Sequence, residues 1–223
     1  MEMKKLVLAV ILLFGITLVN AQEKTAKEYK IEGVDASKAK DFQKGLTAFE
    51  TAITLYEKEG KTDTALYYNV GVCAYKVKEY DKAVSYFDKT INLNYKSCNA
   101  YLYKANILNK QKKYDEMQKV CATGTSRCPK YQSKFNKILF NYNLKTGIGI
   151  YNTAAKKQSA AAQYASSKPD KYKSEMTKVK SEFKKALPYL EKAHKLNASD
   201  ETCKKALKEV YTILDMSAKA ATL

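Results

Sequence analysis

Tryptophan is absent from this sequence, and histidine and arginine occur once each, as His194 and Arg127. There are 8 glycines and 3 prolines in 223 residues, so the punctuation needed by many short strands and tight turns is scarce. A lone histidine with no cysteine or carboxylate at ligand spacing argues against zinc sites and against His-based catalysis. The five cysteines, Cys73, Cys98, Cys121, Cys128 and Cys203, form no C-x-x-C, which argues against zinc ribbons and thioredoxin-like chemistry. G-x-S-x-G, P-loop and H-E-x-x-H motifs are all missing, and Gly147-Ile148-Gly149 is too short for a dinucleotide loop. The expectation is a protein that is not an enzyme and needs no cofactor or metal. The shortage of arginine also qualifies the charge. A formal net charge of +17 is carried almost wholly by lysine, whereas arginine is the residue suited to bidentate phosphate and base recognition. Nucleic acid is therefore not an expected partner.

What the sequence does contain favours helices. Lys, Ala, Leu, Glu and Gln are plentiful, and 45% of residues are hydrophobic, enough for a globular core. The first 21 residues read differently from the rest. Lys4 and Lys5 precede an apolar stretch from Leu6 to Val19, and Val19-Asn20-Ala21 supplies small residues for cleavage before Gln22. The stretch is shorter than the roughly 20 residues a transmembrane helix needs. Residues 1–21 are expected to be a secretory signal peptide. No cysteine follows until Cys73 and no second apolar run exists, so the expected mature chain has neither a lipid anchor nor a transmembrane segment. Export to a periplasmic or outer-membrane-associated location, or secretion, follows from that reading. Losing Glu2, Lys4 and Lys5 lowers the net charge by one, from +17 to +16.

Internal similarity then organises the mature chain. Thr64–Ser97 set above Cys98–Tyr131 pairs Tyr67 with Tyr101, Gly71 with Ala105, Tyr80 with Tyr114 and Asp81 with Asp115. Ala83 pairs with Met117, Phe87 with Cys121, Thr90 with Gly124 and Tyr95 with Pro129, always at an offset of 34. Phe135 continues the Tyr67–Tyr101 series. Phe42, Gly45, Phe49 and Ala52 precede their counterparts by 38 instead, which predicts a four-residue insertion within Glu57–Asp63. Tyr29 and Gly33 fit an earlier helix, and Ala186, Leu190 and Ala193 repeat the small-large-small spacing near the C-terminus. Small residues let helix axes approach while large ones fill the gaps, so stacked hairpins share a continuous core.

This pattern resembles the tetratricopeptide repeat (TPR) family, and with the leader it resembles exported bacterial members of that family. Tyr67, Gly71, Tyr80, Ala83, Phe87 and Thr90 carry the resemblance, and Pro129 sits where the family closes its unit. Met117 and Cys121 depart from it. The implied fold is all-α: a right-handed α-solenoid of TPR hairpins, with an extended C-terminal hairpin and a capping helix. The expected organisation is a divergent first hairpin over 22–63, two repeats over 64–131, a long-helix hairpin over 132–200, and a capping helix with a short tail over 201–223. Pro188 should kink the second long helix or mark a new one. In such a fold Gly71 should accept Ala but not Leu.

The family's helix A lines a concave groove for a partner segment. On the matching face stand Tyr68, Val72, Tyr75, Lys76, Leu102, Tyr103, Asn106, Asn109 and Lys110. Tyr offers contact area at low entropic cost, and Asn can bond a peptide backbone. The family's Lys/Asn clamp for acidic C-termini is not reproduced in register. The implied function is a non-catalytic interaction scaffold for a protein partner, either a peptide segment or a subunit of an envelope complex. The alternative is contact with anionic envelope lipid or polysaccharide through residues 156–185, where nine Lys face Asp170, Glu175 and Glu182. Cys98 opens one helix of its repeat and Cys128 closes the next, which makes them the expected disulfide pair.

Overall fold

A computed structural model describes residues 23–223; the expected leader lies outside the described residues. Ten α-helices and one 3-10 turn occur among them. They are α1 Ala26–Lys38, α2 Phe42–Lys58, α3 Thr64–Lys76, α4 Tyr80–Asn92, α5 Ser97–Lys110 and α6 Tyr114–Arg127, then the 3-10 turn Pro129–Tyr131. The chain continues through α7 Gln132–Ala162, α8 Pro169–Leu196, α9 Glu201–Ile213 and α10 Ser217–Ala220. Each helix packs chiefly on its neighbours in the chain, giving antiparallel hairpins stacked in a row.

Helix boundaries follow from side chains that satisfy orphan backbone groups. Thr25 and Glu28 form a reciprocal capping box at the start of α1. Asp41, Asp63 and Asp200 accept from Lys44 N, Ala65 N and Cys203 N at 3.1, 3.0 and 2.8 Å. The turns inside the first three hairpins repeat one device. Lys40, Lys78 and Lys112 adopt φ of +64°, +68° and +60°. The next residue's N–H reaches back across the helix end: Asp41 to Ala36 O, Glu79 to Ala74 O and Lys113 to Leu108 O, each 2.9 Å. These are Schellman closures with lysine at the position glycine usually takes, so scarce glycine does not prevent tight turns here.

Glycine is instead spent on close helix approach. A Cβ at Gly33 would lie 2.5 Å from the Phe49 ring, at Gly71 2.8 Å from Phe87, and at Gly124 2.4 Å from Phe135. All three rings are essentially fully buried. The expectation that Gly71 accepts Ala is thereby corrected: the first added methyl already meets the ring. In the next repeat both partners change together, Ala105 facing the helix that carries Cys121, and Met117 stands where Ala83 stood. These residues are fully buried, so a smaller side chain at one place is offset by a larger one at another.

The four extra residues of the first hairpin are taken up mainly by one more turn of α2, which has 17 residues against 13 in α4. The inserted residues are helical, and α2 runs to Lys58, into the segment where the insertion is expected. Helices α7 and α8, of 31 and 28 residues, form the long hairpin. Helix α8 is continuous through Pro188, so no new helix begins there. The hairpin closes over Gly147, where a Cβ would lie 2.8 Å from the Leu190 side chain. Helix α9 covers the outer face of α8 with Leu207, Val210 and Tyr211. The short α10 follows it, an element that the sequence reading merged into the tail. Cys98 and Cys128 are joined, with Cα atoms 5.7 Å apart, tying the start of α5 to the end of α6. Cys73, Cys121 and Cys203 are buried thiols. No described helix is long and apolar enough to cross a membrane.

Candidate functional site

The first helices of successive hairpins, α1, α3, α5 and α7, stand side by side and share one face. Packing of their small residues onto α2, α4 and α6 turns Tyr68, Val72, Leu102, Tyr103 and Asn106 toward that face, where each remains half-buried. Three depressions run along it. A groove of about 360 Å³ is lined by Val34, Phe42, Tyr68, Asn69, Val72 and Tyr103 among others. A smaller one, about 300 Å³, lies between α5 and α7, with Leu102, Asn106, Lys134, Lys137, Ile138 and Asn141. A cleft of about 790 Å³ opens where α5 and α6 meet the long hairpin, and Asn109 and Lys110 border it. Seven of the nine sequence-derived face residues therefore line a depression. Tyr75 and Lys76 do not: Tyr75 packs between Tyr80 and Tyr103 at 6.1 and 5.2 Å, and Lys76 lies over the Phe42 ring at 5.6 Å.

The aromatic wall of the first groove is continuous with the core. Tyr103 stacks on Phe87 at 4.9 Å, and Tyr68 meets Phe87 and Tyr103 edge-on at 6.1 and 6.3 Å. Burial pushes the Tyr68 hydroxyl up to about 12, with Tyr103 adding to the effect. Burial also raises that of Tyr103. Both phenols are neutral hydrogen-bonding groups at physiological pH. Asn106 donates from its side-chain amide to Leu102 O at 2.8 Å, which fixes the side chain.

Several groove residues escaped the sequence reading. Val34 sits 38 residues before Val72, and Asn136 and Phe140, on the neighbouring rim, sit 34 after Leu102 and Asn106. Carrying the repeat register one unit in each direction would have found them. Lys145 and Lys185 had no such signal, because their convergence depends on how the long hairpin leans against α5 and α6.

The Lys-rich arm is less bare than its composition suggests. Of its nine lysines, Lys157 and Lys185 both bind Glu182, Lys178 binds Glu175, and Lys180 reaches Asp215. Lys171 covers the Tyr164 ring at 3.9 Å. His194, near the end of α8, has its Nδ1 buried without a hydrogen-bond partner among the described residues. No group of three or more His, Cys, Asp or Glu side chains suited to a metal occurs among the described residues.

No family model matches the sequence, and no curated protein matches it. Among solved structures, a double mutant of MamA RS-1 superposes with a TM-score of 0.50 at 16% identity, covering 91% of this chain and 92% of that one. The fold is a TPR-like solenoid. A TPR repeats protein from Bacteroides fragilis NCTC 9343 is 26% identical over 84% of this chain and 98% of its own, with a TM-score of 0.48. MamA from Desulfovibrio magneticus RS-1 is 16% identical over 91% and 94%, also with a TM-score of 0.48.

Proposed function

We propose that the protein is a non-catalytic scaffold that holds an extended segment of a protein partner along the face shared by α1, α3, α5 and α7. We also propose that it works after export, at the periplasmic side of a bacterial envelope. The observation that supports the first reading is the row of three depressions on one face, floored by half-buried Tyr, Val, Leu and Asn side chains. An extended segment needs that combination of apolar pockets with hydrogen-bonding groups between them. The test is capture of a partner by the tagged protein from its native envelope, repeated with Val72→Glu and Asn106→Ala. Both side chains border the groove without carrying the Gly–Phe core, so each variant should fold and lose most of the capture. Replacing Lys168, Lys171 and Lys173 with Glu should matter little, because rim charges mainly tune association rate. The opposite ordering would favour the reading of the arm as a contact for anionic lipid or polysaccharide. The arm's own ion pairs, which already neutralise part of its charge, weigh against that reading.

A further inference from the structure

The cleft of about 790 Å³ at the α5–α6 turn is the most basic of the three depressions, with four lysines in its lining against Lys134 and Lys137 in the smallest and Lys38 in the groove. Lys110 ends α5, Lys112 holds the left-handed position of the turn, Lys145 comes from α7 and Lys185 from α8. Three backbone segments, α5 with its turn, α7 and α8, thus place four lysines in the lining of one cleft. The single carboxylate in the lining, Glu182, is already bound by Lys157 at 2.8 Å and by Lys185 at 2.9 Å. Lys110, Lys112 and Lys145 have no carboxylate partner among the described residues. Three unneutralised like charges around a partly enclosed space raise the local potential and favour a polyanion there. The floor is polar and aromatic: Tyr114 and Tyr142 lie 4.6 Å apart, beside the Asn109 and Asn141 amides. Asn141 also lines the Leu102–Asn106 depression, so the cleft is the end of the same track.

We propose that this cleft recognises a cluster of Asp and Glu side chains on the partner segment, while the apolar part of the segment lies in the Tyr68–Val72–Tyr103 groove. The inference rests on the scaffold reading given above and adds the chemistry of the partner. Carboxylates suit the site because lysine acts as a mobile point charge, tolerant of irregularly spaced anions, whereas planar bidentate reading of phosphate calls for arginine. The site is also distinct from a clamp within the repeats, since two of its four lysines come from the long hairpin.

Fluorescence anisotropy with the mature chain and a labelled peptide, Leu-Leu-Asn-Gly-Asp-Glu-Asp-Glu-Glu, tests the assignment. The comparison peptide replaces every acid with its amide. Combined Lys110→Gln, Lys112→Gln and Lys145→Gln should weaken binding of the acidic peptide by about tenfold or more at about 0.15 M salt, where diffuse attraction is screened. The same charge change at Lys168, Lys171 and Lys173 should cost less than about threefold, and the amide peptide should bind at least about tenfold more weakly. Lys145→Glu alone, an exposed substitution, repeats the test should the triple variant misfold. Equal losses from the two triple variants, equal binding of the two peptides, or equally tight cleft-dependent binding of a heparin fragment would each overturn the proposal. The scaffold reading is separable. If the amide peptide binds as well as the acidic one and Val72→Glu abolishes both, the groove stands and only the acidic assignment fails. If the acidic peptide depends on the cleft lysines but ignores Val72→Glu, the cleft stands and the groove reading fails.

Discussion

Phe87 serves two structures at once. Its ring lies against the Gly71 backbone on the core side and carries Tyr103 stacked on the groove side, with Tyr68 at its edge. A methyl group at Gly71 would meet the ring at 2.8 Å, and the ring is held by those tyrosines. Gly71→Ala should therefore lower the thermal midpoint, by the equivalent of about 1–3 kcal/mol expected for overpacking. Gly149 provides the contrast: it lies within α7, and nothing stands within 4 Å of its missing Cβ. Gly149→Ala should raise stability by about 0.5–1 kcal/mol through helix propensity alone. A pair of calorimetric scans checks both signs. The tyrosines on this wall also report on pH. The Tyr68 hydroxyl is raised from 10.0 to about 12, chiefly by burial, and those of Tyr151 and Tyr211 likewise reach about 12. Each stays neutral in the folded protein at a pH where the unfolded chain already ionises. Their contribution is thus fully present below about pH 10 and is lost as pH rises toward 12. Denaturant midpoints should fall across that window, and less steeply in Tyr68→Phe.

The hairpin turns show what a repeat keeps constant. Lys40, Lys78 and Lys112 all take a left-handed conformation that costs a residue with a Cβ roughly 1 kcal/mol or more. Lys78→Gly should relieve that strain and raise the denaturation midpoint, since the Lys78 side chain is exposed and carries no ion pair among the described residues. These turns could not be read from composition, because glycine and asparagine announce the left-handed position in a sequence and lysine does not. The helices could be read, because the Tyr67–Gly71–Phe87 spacing and its copies are imposed by how closely two helix axes approach. The spacing shows that the first hairpin carries four extra residues but not that they lengthen α2, because they are as helix-compatible as those around them. The face residues on α3 and α5 were legible by register. The basic cleft was not, since it depends on an angle between elements rather than on a spacing. The disulfide acts at this scale as well. Closing the 30-residue span between Cys98 and Cys128 should stabilise by about 3–4 kcal/mol in the chain-entropy description. Reduction should lower the thermal midpoint, and Cys98→Ser with Cys128→Ser should reproduce the loss. The buried thiols at Cys73, Cys121 and Cys203 should leave it unchanged.

At the scale of the molecule, three cores follow one another along the row. One centres on Phe49 and Phe87, the next on Met117, Cys121 and Phe135, and the last on Phe183, Leu190 and Val210. Nearest-neighbour packing of this kind lets one end loosen without the other, which is how solenoids commonly unfold. The disulfide lies across the middle core, where it resists that propagation only if it is oxidised. Oxidation in turn depends on where the chain resides, because thiols in a reducing cytosol stay reduced. The order of residues 4–21, basic then apolar then small, supports the proposed export, and the two properties should appear together. Intact mass of the native protein, taken without reductant, tests them in one measurement. A chain beginning at Gln22 and lighter by two hydrogens than after reduction would support both proposals. A chain that retains residues 1–21 would overturn export as proposed. A processed chain whose mass rises by nothing on reduction would show that the middle core lives without its bridge. In that case the thermal midpoint of the native material should match that of the Cys98→Ser, Cys128→Ser variant.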